Sequence, residues 1–257
     1  MPEWNSELYL KFEAERTRAA ADLLSHVRDL APRTIVDLGC GPGNSALILQ
    51  QRFPESSIVG VDRSNNMLIV ARLRAPTAEF VLQDLEDWRP EGAPDLVFAN
   101  AALHFAKDHR ALIVRLVHDL APGGVLAVQM PNNTHEASHA LMRMISADGP
   151  WMDRLLPIAK TRTPIAPAEE YYRLLAPLCA EVEIWETTYI HPVSGPERIV
   201  EWFEGAELRP FLAPLTAAER EEFLARYRAE LEVSYERQPD GRVLLRYPRL
   251  FFVARAK

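Results

Sequence analysis

Cysteine is scarce in this sequence, at 2 in 257 residues. Cys40 lies inside a glycine loop where a bridge would obstruct a ligand, so a Cys40–Cys179 disulfide is not expected. Long apolar runs are missing too, and no window approaches the roughly 20 residues needed to span a bilayer. Met1-Pro-Glu-Trp-Asn-Ser-Glu lacks the basic start and apolar core of a signal peptide, so a cytoplasmic protein without a membrane partner is expected. Positive charge is in deficit, with 29 Lys and Arg against 36 Asp and Glu and a net charge of −7. That balance argues against nucleic acid, which demands broad neutralisation of its backbone. Internal repeats and low-complexity segments are absent, and the length suits one large α/β domain, alone or with a cap, better than two equal domains. Monomer and homodimer both remain open.

Glycine is sparse as well, at 11 residues, yet three of them fall within five positions, Gly39, Gly41 and Gly43. The apolar, partly β-branched run Thr34–Leu38 before them reads as a buried strand, and residues 45–52 after them read as a helix. Gly39 lets the chain turn, Gly41 presents bare backbone, and Gly43 allows loop and helix to approach closely. This is either a nucleotide-type cradle or an ordinary tight turn. Asp37 bears on which nucleotide: a carboxylate there would repel the pyrophosphate of NAD but attract the sulfonium and ammonium of S-adenosylmethionine. The run V-D-L-G-C-G-P-G resembles the first motif of the class I S-adenosylmethionine-dependent methyltransferases.

That resemblance implies a doubly wound, mostly parallel, seven-stranded α/β sheet and S-adenosylmethionine as cofactor, leaving as S-adenosylhomocysteine, with no metal. Along the chain, residues 57–62 read as a second strand ending in Asp62, about 20 residues past the loop, where a ribose-binding acid belongs. Arg63 follows it, and Met67 is placed to cover the adenine or simply to fill core. Strand 79–83 leads to Asp84, an acceptor for the adenine amino group, with Leu85 offering backbone. Strand 95–100 ends in Asn100 and is followed by His104. Polar residues at successive strand ends describe the crevice of a doubly wound sheet. A helix over 108–120, the turn Ala121-Pro-Gly-Gly124 and a fifth strand, 125–130, complete a cofactor-binding core over 32–146. Residues 1–31 read as an N-terminal lid and helix, opening with Trp4, Tyr9 and Phe12, with Tyr9 and Arg16 as further cofactor candidates. Residues 150–167 read as a loop-rich insertion. Strand 182–191 precedes two helices with capping boxes at Ser194–Glu197 and Thr216–Glu219. These form a helical substrate cap over 195–238, inserted between the last strands, before runs 242–247 and 250–254 return to strand.

The runs W-N-S-E-L-Y-L-K-F-E-A-E-R-T-R, F-A-N-A-A-L, V-L-A-V-Q-M-P-N-N, I-W-E-T-T-Y-I-H and R-Y-P-R-L-F-F-V-A-R resemble the branch of that family that esterifies trans-aconitate. The resemblance implies a small anionic carboxylic-acid substrate and a monomethyl ester product. A trianion approaching a protein of net negative charge needs local arginine, tyrosine and histidine. Tyr189, His191, Arg209 and Arg246 are the candidates. Carboxylates are ionised at neutral pH, so no general base is required, and His104 is a positioning candidate only. His135-Glu-Ala-Ser-His139 matches a zinc-protease spacing, but its place beside a helix start makes Thr134 the expected N-cap and leaves the histidines exposed. A methyltransferase acting on a related polycarboxylate or a different small molecule is the first alternative, with an NAD-dependent dehydrogenase and a non-catalytic cofactor-binding module as more distant readings.

Overall fold

The computed structural model describes residues 10–161 and 164–257; Trp4 and Tyr9 lie outside them. The chain divides into two compact units. A sheet unit holds Glu13–Pro131, Ile165–Thr187 and Arg249–Lys257, and a helical unit holds the described residues 10–12 with those of 132–164 and Thr188–Pro248. Among the described residues no helix is long and apolar enough to cross a membrane.

The sheet unit begins with α1 (Glu13–Ser25) and continues β1 (Thr34–Leu38), α2 (Asn44–Arg52), β2 (Ser57–Asp62), α3 (Asn65–Arg74), β3 (Glu79–Leu82), β4 (Leu96–Asn100), α4 (His109–Asp119) and β5 (Val125–Pro131). The later chain supplies α7 (Ala168–Leu175) and parts of β6 (Cys179–Val193) and β7 (Val243–Ala256). The strand order is β3-β2-β1-β4-β5-β7-β6. The first five strands are parallel, and β7 runs antiparallel to β5 from Val125↔Arg255 to Pro131↔Arg249. The chain winds outward from β1 to β3 and then restarts at β4 on the other side of β1. That reversal opens a crevice at the carboxyl ends of β1 and β4.

Strand alternation separates two chemically different faces. Val36, Leu38, Val97, Ala99, Leu126, Val128, Met130, Leu250, Phe252 and Ala254 point to one face, where Leu112, Ile113, Leu116 and Val117 of α4 and Tyr171 and Leu175 of α7 cover them in one apolar core. The pairings Asp37↔Gly60, Asp37↔Phe98, Asn100↔Gln129 and Pro131↔Arg249 put Asp37, Asp62, Asn100, Gln129 and Arg249 together on the opposite face. There α1 packs against β5 and α2, burying Arg16, Ala19, Ala20, Leu23 and Leu24.

The helical unit contains α5 (Ala137–Ser146), α6 (Met152–Thr161), α8 (Pro196–Glu204), α9 (Arg209–Leu212) and α10 (Ala217–Ser234). Phe12 belongs to its core, 4.6 Å from the Trp202 ring and under the Arg198 guanidinium. The expected capping box of α10 forms between Thr216 and Glu219. The one expected at Ser194 does not: Gly195 is the N-cap of α8 and Pro196 its first residue, a position where proline's missing N–H costs nothing. The loop expected over 150–167 contains α6. Trp151 and Leu155, a turn apart and fully buried, give it an apolar face that outweighs the local proline density, and Trp151 Nε1 donates to the Ile145 carbonyl at 2.9 Å. The two final runs join into one strand, β7, through Pro248. This residue lies just beyond the last β5–β7 pair, so its missing donor interrupts no rung of that ladder.

Candidate functional site

The glycine loop follows directly from β1. Gly39 has φ 75°, and a Cβ there would lie 2.3 Å from the Ala102 Cβ, so only glycine lets the segments after β1 and β4 meet. Gly39 and Cys40 both donate their N–H groups to the Val61 carbonyl, at 2.7 and 3.0 Å. A Cβ on Gly41 would meet nothing within 4 Å. The backbone at Gly41 therefore borders open space, as a ligand cradle requires. Asp62 fixes this loop: Oδ2 accepts from Gly41 N at 2.9 Å and Oδ1 from Ser64 N at 2.8 Å. Each oxygen keeps a second lone pair for a ligand hydroxyl. Burial pushes the Asp62 carboxyl up from its ordinary value, against the pull of these N–H groups.

Asp37 is strongly perturbed. It is fully buried, and neither carboxylate oxygen has a hydrogen-bond partner of good geometry. Burial first, and the Asp62 charge second, push its pKa up to about 8. A buried, unsatisfied carboxyl beside an open backbone fits a ligand that brings positive charge, which would favour its ionised form.

At the end of β2, Arg63 pairs with Asp84 at 3.7 Å, and Asp84 Oδ1 also accepts from Glu86 N at 3.0 Å. The Leu85 carbonyl accepts from Arg115 Nη2 at 3.1 Å. Met67 is buried on α3, and Arg16 is buried on α1. Asn100 closes β4 with its Oδ1 buried and unpartnered. The next residue, Ala101, takes φ 54°, a left-handed conformation that costs a non-glycine residue roughly 1–2 kcal/mol, and donates its N–H to the Gln129 carbonyl at 2.9 Å. His104 lies in the 3₁₀ turn Leu103–Phe105 with its ring 4.1 Å from Phe105.

Of the four substrate candidates, the helical unit brings two together. Tyr189 and His191 are both buried, with near-parallel rings 6.1 Å apart, and His191 also meets Trp202 and Tyr247. Arg209 opens the short helix α9 and is half-buried. Alternation along β7 turns Arg246 away from the face of Leu245 and Tyr247, and its half-exposed side chain lies 3.8 Å from Glu136. The zinc spacing also fails: α5 begins at Ala137 with Glu136 at its N-cap, so Thr134 is not the cap and His135 precedes the helix. His139 is buried, not exposed, edge-on to Phe203 at 4.9 Å. Among the described residues no cluster of three His, Cys, Asp or Glu could hold a metal ion.

Two polar residues escaped the sequence reading. Gln129 and Arg249 are almost fully buried, and Arg249 Nη1 donates to Gln129 Oε1 at 3.0 Å. The available signal was a lone amide in V-L-A-V-Q-M and a lone cation in R-L-F-F-V, each inside an otherwise apolar strand.

The seven-stranded order with an antiparallel β7, and the glycine loop at its switch point, define the class I methyltransferase fold. A methyltransferase-domain family model matches residues 35–124. Trans-aconitate 2-methyltransferase of Methylobacterium nodulans is 51% identical over 255 residues, covering 99% of each chain. Its namesake in Yersinia pestis is 47% identical over 257 residues, covering 100% of each. This chain belongs to the trans-aconitate 2-methyltransferase family. Among solved structures, the YcgJ protein of Bacillus subtilis superposes with a TM-score of 0.60 at 14% identity, over 93% of this chain and 98% of that one. A Haemonchus contortus phosphoethanolamine N-methyltransferase bound to S-adenosylhomocysteine gives a TM-score of 0.55 at 18% identity, over 93% and 52%. At these identities both speak for the fold.

Proposed function

We propose that this chain methylates one carboxylate of trans-aconitate, using S-adenosylmethionine and releasing S-adenosylhomocysteine and a monomethyl ester. The observation that carries the reading is near-half identity, over the whole length, to proteins named for that reaction. Bound in the crevice, S-adenosylmethionine supplies a methyl group made electrophilic by its sulfonium. Asp37 answers the positive methionine end, Asp62 the ribose hydroxyls, Asp84 with Leu85 the adenine edge, and the Gly39–Gly43 backbone lets the ligand lie close. Asn100, Arg63, Met67 and Arg16 complete the proposed cofactor set.

A carboxylic acid with a pKa near ~4 arrives ionised at neutral pH, so its oxygen attacks the methyl carbon as the carbon–sulfur bond breaks, and no proton moves. The protein's task is therefore alignment, which supplies up to roughly 7–11 kcal/mol of such barriers. His104 has no base role in this scheme. Arg209, Tyr189 and His191 of the helical unit are proposed carboxylate-binding groups, on the strength of their chemistry and of the burial of the two rings. Both cysteines are free and buried, in keeping with a cytoplasmic enzyme.

The test is purified protein with methyl-labelled S-adenosylmethionine and a panel of di- and tricarboxylic acids. Label should appear in a base-labile ester of trans-aconitate. Cofactor binding without turnover of any acid would overturn the reading in favour of a non-catalytic module.

A further inference from the structure

One face of the sheet carries a gradient of charge across its carboxyl ends. Starting at β2, the residues that share this face near the strand ends are Asp62, Asp37, Asn100, Gln129 and, on β7 opposite Pro131, Arg249. The acidic half surrounds the glycine loop. The other half ends in a guanidinium that is 3% exposed, whose hydrogen bond within this row goes to a neutral amide. Gln129 is 0% exposed, and its Nε2 has no hydrogen-bond partner among the described residues. An amide donor left unsatisfied in the interior, fixed beside a buried cation, is the chemistry of an anion site.

The orientation of this amide is set by its neighbours. Arg249 has only donors, so the carbonyl oxygen of Gln129 must face it, which leaves Nε2 as the donor directed elsewhere. Asn100, in register with Gln129 on β4, holds a second buried and unpartnered atom, Oδ1. Two strand spacings of about 4.8 Å put the Gln129 column roughly 10 Å from that of Asp37. The acidic and the basic half thus lie side by side on one face of the sheet.

We infer that Gln129 and Arg249 anchor a carboxylate of the acid substrate that does not react, Gln129 Nε2 and the guanidinium each donating to one of its oxygens. This rests on the functional reading above and assigns the pair as substrate-specificity residues of the same site. The reacting carboxylate is then presented toward the methyl donor by the geometry of the acid itself. Selection of polycarboxylic over monocarboxylic acids follows, because a monocarboxylate cannot occupy anchor and reaction centre together.

The decisive variant is Gln129→Glu. It preserves side-chain shape, pairs with Arg249 and places a negative charge where the substrate carboxylate belongs. The KM for trans-aconitate should rise at least 30-fold, while the S-adenosylhomocysteine Kd by calorimetry and the melting temperature stay near wild type. Arg249→Gln should raise the same KM at least tenfold and reduce the preference for tri- over monocarboxylic acids, and Arg249→Lys should recover part of both. If Arg249→Gln fails to fold, Gln129→Glu decides alone. An acid KM within twofold of wild type in Gln129→Glu, or a fall in kcat with KM and acid preference unchanged, would overturn the anchor. Failure of the wild-type protein to methylate any acid is a different result, and it would overturn the functional reading first.

Discussion

Asp37 makes a pH-dependent prediction that separates its electrostatic role from a packing role. Its carboxyl is raised from 3.8 to about 8 by burial and by Asp62. A group whose folded pKa lies above its unfolded value stabilises the fold fully below the unfolded value and loses that contribution as pH rises through the window, here between about 4 and 8. At 1.36 kcal/mol per unit, the loss reaches about 4 kcal/mol at pH 7 and about 5 kcal/mol by pH 8. For a chain of this size each kcal/mol moves Tm by roughly 2–4 °C, so Asp37 should contribute a fall of about 3–5 °C per pH unit between pH 5 and 8 in the ligand-free protein. Asp37→Asn removes the titration, and the difference between the two melting curves isolates it. A cationic ligand should reverse the effect, because binding at pH 7 favours the ionised carboxylate and expels its proton. Calorimetry of S-adenosylmethionine binding in buffers of different ionisation enthalpy should register release of close to one proton in the wild type and much less in Asp37→Asn. Parallel pH–Tm profiles for the two proteins, with equal proton release, would refute the argument. Asp37 would then already be ionised in the free protein, its charge stabilised there without a cationic ligand.

Asp62→Ala should weaken cofactor binding by one to two orders of magnitude, roughly 1.5–3 kcal/mol, because it removes both the ribose acceptor and the carboxylate that holds Gly41 N and Ser64 N; an unchanged calorimetric Kd would take Asp62 out of the site. Gly39→Ala sets a Cβ 2.3 Å from that of Ala102 at a positive φ, so cofactor binding should fall at least tenfold with a lowered Tm, and a variant with wild-type affinity would show that the loop is not held against the segment after β4. Arg209→Ala should raise the acid KM at least tenfold, about 1.4 kcal/mol, with cofactor affinity unchanged. Equal acid kinetics in variant and wild type would remove Arg209 from the proposed substrate groups. The pH–rate profile of the chemical step should show no requirement for a deprotonated group near 6.5, and a basic limb there would restore His104 as a base.

The sequence by itself determined whatever rests on neighbouring residues. The loop could be read from three glycines in five positions because positive φ and close backbone approach are local demands. The strand ends Asp37, Asp62 and Asn100 could be read because alternation and a following helix are written within a dozen residues. The Thr216–Glu219 box was legible for the same reason. Tertiary structure decided which distant residues share a face. Nothing near Gln129 announces Arg249, 120 residues later; the pair exists because β7 inserts antiparallel beside β5 in a register that sets Arg249 opposite Pro131. Arg246, three positions earlier on the same strand, has the chemistry of a substrate anchor, yet the two-residue period turns it toward Glu136 and solvent. His139 matched a metal-ligand spacing, but a helix starting two residues later than expected turns its ring onto Phe203. Local chemistry fixes what each residue is able to do, and strand order and register fix which partners it meets.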